Sequence, residues 1–213
     1  MRLTVLAAAI AVTLTLAGCA PQGTVEPTTD PVPTESVTPE PQPAVVIMSL
    51  DGLTVQDDAG GTVESAEFTD PDAILDLLSE LLGSTPEPTQ YPEIGNQTYE
   101  WPGVLFGTGI EEPSDYSWVR AEVAQLGDLP LQTSDGIHVG SALADVEALG
   151  PFEVGYDGDG DGVSDELGLE QQANPAYESL GHPGEPGTDF VAVQIAAGAV
   201  TVVRSPSNDY SDV

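Results

Sequence analysis

A short acidic loop at residues 157–166 holds the residue types and spacing with the clearest capacity for chemistry. Aspartates alternate with glycines along the sequence DGDGDG, and two further acids follow. A hard cation such as Ca²⁺ takes about six to eight oxygen ligands, and alternating carboxylates on a glycine-containing loop can turn inward around one point. Gly162 stands where such a loop must turn sharply. The predicted ligands are aspartate and glutamate side chains with one backbone carbonyl: Asp157, Asp159, Asp161, Asp165, Glu166 and the carbonyl of Val163.

This loop resembles the calcium loops of EF-hand-like and thrombospondin type 3 repeat proteins, over about ten residues and in one copy. It departs from the EF-hand pattern at the twelfth position, where Gly168 replaces the bidentate glutamate. The flanking residues alternate as in strands, so we expect the loop to lie at the tip of a β-hairpin. Its affinity for Ca²⁺ is then expected to be weak, about 10⁻⁴ to 10⁻³ M. The alternative is that the Asp-Gly repeats form only a solvated turn in a very acidic protein.

Residues suited to catalysis are sparse in the sequence. His138 and His182 each stand alone, and the sequence contains no Gly-x-Ser-x-Gly elbow, no His-Glu-x-x-His pair and no lysine. Pairs of carboxylates are uninformative because acids are so numerous. Trp101, Trp118 and Tyr116 could form a carbohydrate-stacking face, although filling the core is the simpler expectation. We therefore expect a protein that is not an enzyme.

The N-terminal residues have the pattern of an export signal. After Arg2, residues 3–16 are an uninterrupted run of Leu, Ala, Val, Ile and Thr, shorter than the roughly 20 residues of a spanning helix. The sequence LAGC follows at residues 16–19, and here the chain resembles the bacterial lipoprotein precursor family. The resemblance implies that Cys19 is alkylated by a diacylglyceryl group and becomes the first residue after cleavage. The alternative is an incidental cysteine beside an ordinary cleavage site.

The net charge of the chain excludes nucleic acid as a partner and limits how the chain can attach to a membrane. The 213 residues include 36 Asp and Glu but only three cationic residues, Arg2, Arg120 and Arg204, which gives a net charge of −33. A nucleic-acid backbone could not be neutralised by so few cations, so nucleic acid is not expected as a partner. Anionic lipid would also repel the chain, so membrane attachment must depend on the acyl group. Cys19 is the only cysteine, which excludes an internal disulfide.

Hydrophobic spacing predicts two helices among short strands. A helix is expected over residues 71–82, with Asp70 as its N-cap and Gly83 at its end, and a shorter one over residues 141–150. The fold class predicted is α+β, an antiparallel sheet with two helices. Each helix is followed by β-rich sequence, which suggests two similar helix-plus-strands halves. The predicted strands lie at residues 45–48, 53–55, 63–68, 99–107, 116–123, 137–139, 191–195 and 200–203.

Composition divides the chain into four segments. Residues 1–18 are the predicted signal peptide, and residues 19–44 are a lipidated cysteine with a Pro/Thr-rich acidic linker that cannot form a core. Residues 45–204 are the predicted globular domain, and residues 205–213 a flexible tail.

The sequence thus predicts a non-catalytic envelope lipoprotein, anchored on the extracytoplasmic face of the cell membrane. Its acidic domain is expected to bind Ca²⁺ and an envelope protein partner. The alternative is a cell-surface module that binds or hydrolyses glycans.

Overall fold

The computed structural model describes residues 41–110, 116–155, 158, 160 and 164–210. The chain divides into two units, Met1–Thr38 and Pro39–Val213, and every described residue lies in the second. The described residues form thirteen strands and two helices: β1 (Pro43–Met48), β2 (Gly52–Asp57), β3 (Thr62–Glu67), α1 (Pro71–Leu82), β4 (Thr89–Tyr91), β5 (Asn96–Trp101), β6 (Val104–Gly109), β7 (Ser117–Ala121), β8 (Gln125–Leu126), β9 (Leu129–Thr133), α2 (Leu143–Glu147), β10 (Phe152–Glu153), β11 (Glu166–Glu178), β12 (Pro186–Ala196) and β13 (Ala199–Asn208).

The predicted α+β class is wrong, because the described fold is built mainly from two β-sheets. One sheet has five strands in the order β3-β2-β1-β9-β8, and the other has eight in the order β10-β11-β12-β13-β7-β6-β5-β4. Most neighbours run antiparallel, as predicted, but β1 and β9 are parallel. Helix α2 spans only five residues, too few to form a structural layer.

The two predicted similar halves are also not found in the described fold. Strands β1 to β3 start the five-stranded sheet, β4 to β7 belong to the eight-stranded sheet, and β8 and β9 return to the first. Consecutive segments of the chain therefore alternate between sheets. The two occurrences of a helix followed by β-rich sequence therefore do not mark a structural repeat.

Helix α1 forms as its sequence predicts. The Asp70 side chain accepts a hydrogen bond from the Ala73 amide at 3.2 Å, and Gly83 ends the helix in the left-handed region at φ 73°. Its buried side chains are Ile74, Leu77 and Leu78. The helix contacts both β3 and β8, the two edges of the five-stranded sheet. Gly127, in the turn after β8, lies so close to the helix end that a Cβ would come within 2.2 Å of the Leu81 carbonyl oxygen.

The two sheets share one hydrophobic core. The alternating β1 residues Val46 and Met48 are fully buried, and Trp101, Phe106 and Val203 contribute to the core from the larger sheet. Burying apolar surface stabilises the fold by about 25 cal/mol per Å². The core therefore forms between the sheets, with α1 closing part of it.

Polar contacts join the two sheets at the loops that follow β1, β3 and β9. The hydroxyl of Ser117 donates to the Phe68 carbonyl at 2.8 Å, and that of Ser205 donates to the Ser49 carbonyl at 2.7 Å. The Glu170 carboxylate accepts hydrogen bonds from the amides of Leu50 and Ser134, both at 3.2 Å. Because these groups come from β7, β13 and β11, three strands of the larger sheet are tied to the smaller one.

Several predicted strands need correction. Residues 99–107 were expected as one strand, but β5 and β6 form a hairpin that turns at Pro102-Gly103, where Gly103 has φ 74°. Residues 137–139 form no strand, because the Ile137 carbonyl closes a turn by accepting from the Thr133 amide. Strand β13 continues to Asn208, so the ordered sheet extends into the segment expected as a tail.

Candidate functional sites

The acidic loop lies between β10 and β11, which pair as an antiparallel hairpin. The prediction that the loop connects two paired strands is therefore confirmed. Asp157, Asp159, Asp161 and Val163 lie outside the described residues. Among the described residues, no group of three or more His, Cys, Asp or Glu could hold a metal ion.

The two remaining predicted ligands lie at the base of this loop. The Asp165 carboxylate accepts a hydrogen bond from the Gly158 amide at 2.7 Å. Glu166 is a β11 residue, and its buried carboxylate accepts from Gln194 Nε2 at 3.0 Å and contacts Arg204 Nη2 at 3.3 Å. Asp165 thus stays close to the loop, whereas the Glu166 carboxylate is directed toward an arginine of the sheet. Cys19, the predicted lipidation site, lies outside the described residues.

Arg204 belongs to a row of side chains on the face of the larger sheet that is turned away from the shared core. In the β5-β6-β7-β13 register, Glu100 is opposite Leu105, Leu105 is opposite Arg120, and Arg120 is opposite Arg204. The next residues along these strands, among them Trp101 and Val203, point the other way into the core. Because side chains alternate between faces, the row lies on the outer face of the sheet.

Arg120 and Arg204 are therefore direct cross-strand neighbours, although they are the only cationic residues after the predicted signal peptide. Like charges in directly opposed positions destabilise a sheet. Here each guanidinium is paired with a glutamate: Arg120 with Glu122, and Arg204 with Glu166. Arg204 also donates to the Ser207 hydroxyl at 2.8 Å.

Trp118 stands two residues before Arg120 on the same face of β7. It is opposite Gly107, and a Cβ on Gly107 would come within 2.3 Å of the indole ring. The indole therefore lies directly over the Gly107 backbone, a position that only glycine permits. Trp118 remains partly exposed.

Two cavities meet at Trp118 and Arg120. The larger, about 390 Å³, is a groove over β4 to β7 whose polar and aromatic lining includes Tyr91, Asn96, Thr98, Glu100 and Glu122. The smaller, about 120 Å³, is lined by Tyr116, Arg204, Pro206, Ser207 and Asn208. Partial burial raises the pKa of the Tyr116 hydroxyl, and the Arg204 charge opposes that shift. We call the two cavities together the Trp118 groove.

The other residues considered for catalysis or stacking lie elsewhere. Trp101 is buried in the core, and its Nε1 donates to the Ser84 carbonyl at 2.8 Å. The expectation of a core position is thus confirmed for Trp101 and is wrong for Trp118 and Tyr116, which are both partly exposed. His138 Nδ1 lies 3.0 Å from the Val139 carbonyl oxygen, and the His182 ring contacts Phe152.

Sequence reasoning missed Arg120, Arg204, Glu100 and Glu122 as site residues. One signal was available, since Trp118 and Arg120 are two residues apart in a predicted strand and must share a face. The scarcity of cations was a second signal. The pairing of Arg120 with Arg204 depends on register between distant segments, which no local pattern reveals.

Comparison with protein-family models, with curated proteins and with solved structures finds no match for this chain. Among the described residues, no helix is long and apolar enough to cross a membrane.

Proposed function

We propose that this protein is a non-catalytic envelope lipoprotein, held on the extracytoplasmic face of the cell membrane by lipid on Cys19. The motif LAGC at the end of an apolar run is the observation that carries the proposal. Two or more acyl chains each bury many methylene groups, which contribute about 0.8 kcal/mol apiece, and a linker that ends before β1 at Pro43 would hold the domain away from the bilayer. The β-sheet domain then acts as a binding module, with an envelope protein as one expected partner.

Replacing the predicted lipidated residue tests the anchor. In a bacterial host that processes lipoproteins, we expect the unmodified chain to sediment with membranes and Cys19→Ser to lose that fraction. The physical reason is that an anionic chain without an acyl group is repelled by anionic lipid. The neighbouring variant Ala20→Ser serves as the control and should sediment as the unmodified chain does. Cys19→Ser protein recovered in the membrane pellet at the same yield would contradict the anchor.

The proposal includes Ca²⁺ binding by the loop of residues 157–166. Carboxylates are the ligands that this cation prefers, and the β10-β11 hairpin supports the proposal because it fixes both ends of the loop. The ligands proposed are Asp157, Asp159, Asp161, Asp165 and the Val163 carbonyl. The Glu166 carboxylate, a ligand expected from the sequence, faces Arg204 and is therefore not among the proposed Ca²⁺ ligands.

We propose glycan binding as the second candidate function, at the Trp118 groove. The supporting observation is that the indole lies directly against Gly107 yet remains partly exposed at the junction of two cavities. A flat aromatic ring gives the apolar face of a sugar a surface to stack on. The amide, hydroxyl and carboxylate groups of the lining can hydrogen-bond sugar hydroxyls.

An array that carries neutral and carboxylated glycans tests this second function with the full-length chain. We expect the unmodified chain to be retained, Trp118→Ala to lose retention, and Trp118→Tyr to keep part of it because a ring remains. Thermal unfolding of each variant shows whether a loss of binding reflects a loss of fold. Retention by folded Trp118→Ala at the level of the unmodified chain would rule out the groove, and no retention of the unmodified chain would rule out the function.

A further inference from the structure

Two guanidinium groups in one cavity are unusual in this chain, because its 36 acidic residues far outnumber its arginines. Arg120 and Arg204 are opposite each other in the register and both line the smaller cavity. Their direct opposition is unfavourable unless carboxylates lie beside them, and Glu122 and Glu166 supply these in the unliganded chain. The fold thus places its positive charge at one point of the outer face.

The two arginines differ in how firmly they are held. Arg204 is fixed by the buried Glu166 and by the Ser207 hydroxyl, and Glu166 is itself held by Gln194. Arg120 is paired with Glu122, whose side chain is 49% exposed. Exposed ion pairs contribute little to stability, so an incoming anion can replace Glu122 as the partner of Arg120.

The shape of the site limits the anion to one group on a larger ligand. The smaller cavity, about 120 Å³, has room for one carboxylate beside the two guanidinium groups in a largely apolar lining, whereas the adjoining groove of about 390 Å³ offers both polar groups and apolar surface to a sugar. A planar guanidinium forms two parallel hydrogen bonds with a carboxylate, a geometry that lysine cannot provide. Salt limits the reach of repulsion from the rest of the acidic surface to about 8–10 Å.

We propose that the Trp118 groove binds a carboxylated glycan, with the carboxylate between Arg120 and Arg204 and a sugar ring on Trp118. This inference rests on the second function proposed above and assigns its ligand class. Acidic peptides are the competing ligand, but they would leave the hydroxyl-binding lining of the larger cavity unused.

Arg120→Gln is the decisive variant, because its partner Glu122 is already half exposed and tolerates the loss. Arg204→Gln would leave Glu166 buried without its cation and endanger the fold. The probe is the same array, with uronate- and sialate-containing glycans, their methyl esters and neutral glycans. We expect the unmodified chain to prefer the free carboxylates over the esters, and Arg120→Gln to weaken that retention about tenfold or more. Arg120→Lys should restore part of the retention.

The other outcomes of this experiment show whether the carboxylate inference alone fails or glycan binding fails with it. Equal retention of free and esterified glycans, unchanged in Arg120→Gln but lost in Trp118→Ala, would overturn the carboxylate inference and leave glycan binding intact. Retention of no glycan by the unmodified chain would overturn both. Retention of a polyglutamate peptide in preference to every glycan, lost in Arg120→Gln, would assign the arginines to a protein partner and overturn the inference.

Discussion

Tyr210 closes the C-terminal end of the described fold through a set of specific contacts. Its ring stacks on Tyr177 with centroids 4.3 Å apart, and it covers Gly187 so closely that a Cβ there would come within 2.4 Å. The hydroxyl donates to the Asp189 carboxylate at 2.6 Å and accepts from Asn174 Nδ2 at 3.1 Å. Burial and the bond to Asp189 raise the pKa of Tyr210 above its ordinary value of 10.0.

The raised pKa predicts a loss of stability at alkaline pH. Below about pH 10 the tyrosine is neutral in both the folded and the unfolded chain, so the stabilising contacts are fully present. Above that pH the unfolded chain ionises first, and the free energy of unfolding falls. We expect Tyr210→Phe to cost about 1 kcal/mol at pH 8, a difference that shrinks at pH 11. Urea unfolding at the two pH values measures it.

Tyr177→Phe is the matched control for this measurement, since it keeps both the stack and the bond between Tyr210 and Asp189. Its decline above pH 10 should follow that of the unmodified chain. A Tyr210→Phe difference that is the same at both pH values would contradict the assignment.

Glu170 shows how one residue can join two sheets. It adopts the left-handed region at φ 50°, which costs about 1–2 kcal/mol for a residue with a side chain. The register of β11 against β12 shifts at this point, and the Glu170 carboxylate accepts from two amides of the other sheet. The two hydrogen bonds to a charged acceptor offset the backbone cost. Nothing in the local sequence, ELGLEQQ, marks this role.

At the scale of elements, α1 was predictable because its signals are local. A capping aspartate, a proline in the first turn, leucines at helical spacing and a final glycine all lie within residues 70–83. The β12-β13 hairpin was predictable for the same reason, with alternating apolar residues around Ala197-Gly198. The β5-β6 turn was not predicted from the sequence, although the Pro102-Gly103 pair at its centre is a turn signal.

Sheet membership was not predictable, because it depends on contacts between distant segments. Residues 137–139, with Ile and Val on either side of His138, are typical of a short strand, yet Gly140 and Ser141 just beyond them hydrogen-bond to Val200 at the β12-β13 hairpin. The same limit applies to the candidate site. Trp118 and Arg120 could be placed on one face from sequence, but Arg204 lies more than 80 residues away along the chain.

The acidic loop between β10 and β11 leads us to expect that Ca²⁺ raises the stability of the folded chain. Carboxylates crowded in one loop repel one another, so a bound cation should stabilise the folded chain. At 10 mM Ca²⁺ and a Kd of about 10⁻⁴ to 10⁻³ M, we expect about 1.4–2.7 kcal/mol of stabilisation, which is a rise in Tm of a few degrees. The measurement is thermal unfolding of the full-length chain with Ca²⁺ or with NaCl at equal ionic strength. Asp159→Ala combined with Asp161→Ala should abolish the difference.

A control pair separates site binding from general screening. Asp58→Ala with Asp76→Ala removes the same charge at exposed positions far from this hairpin in sequence, and should leave the Ca²⁺ response unchanged. An equal Ca²⁺ response in the loop variant and in this control variant would show that the cation acts only through screening.

Across the whole molecule, charge is distributed very unevenly. The two ion pairs in the described part of the chain both use arginines of one sheet face, which pair with Glu166 of β11 and with Glu122 just after β7. Elsewhere the surface is acidic, which favours solubility and discourages contact with anionic lipid. The arginines are therefore gathered at one point of the outer face, where carboxylates balance their charge.

The strands nearest the two chain ends both occupy interior positions in their sheets. Strand β1 lies between β2 and β9, and β13 lies between β12 and β7. Because β1 is hydrogen-bonded on both sides, drawing it out of the five-stranded sheet would break two ladders at once. A force applied to this strand would accordingly be resisted by both neighbours, whereas an edge strand such as β3 can be peeled from one neighbour alone.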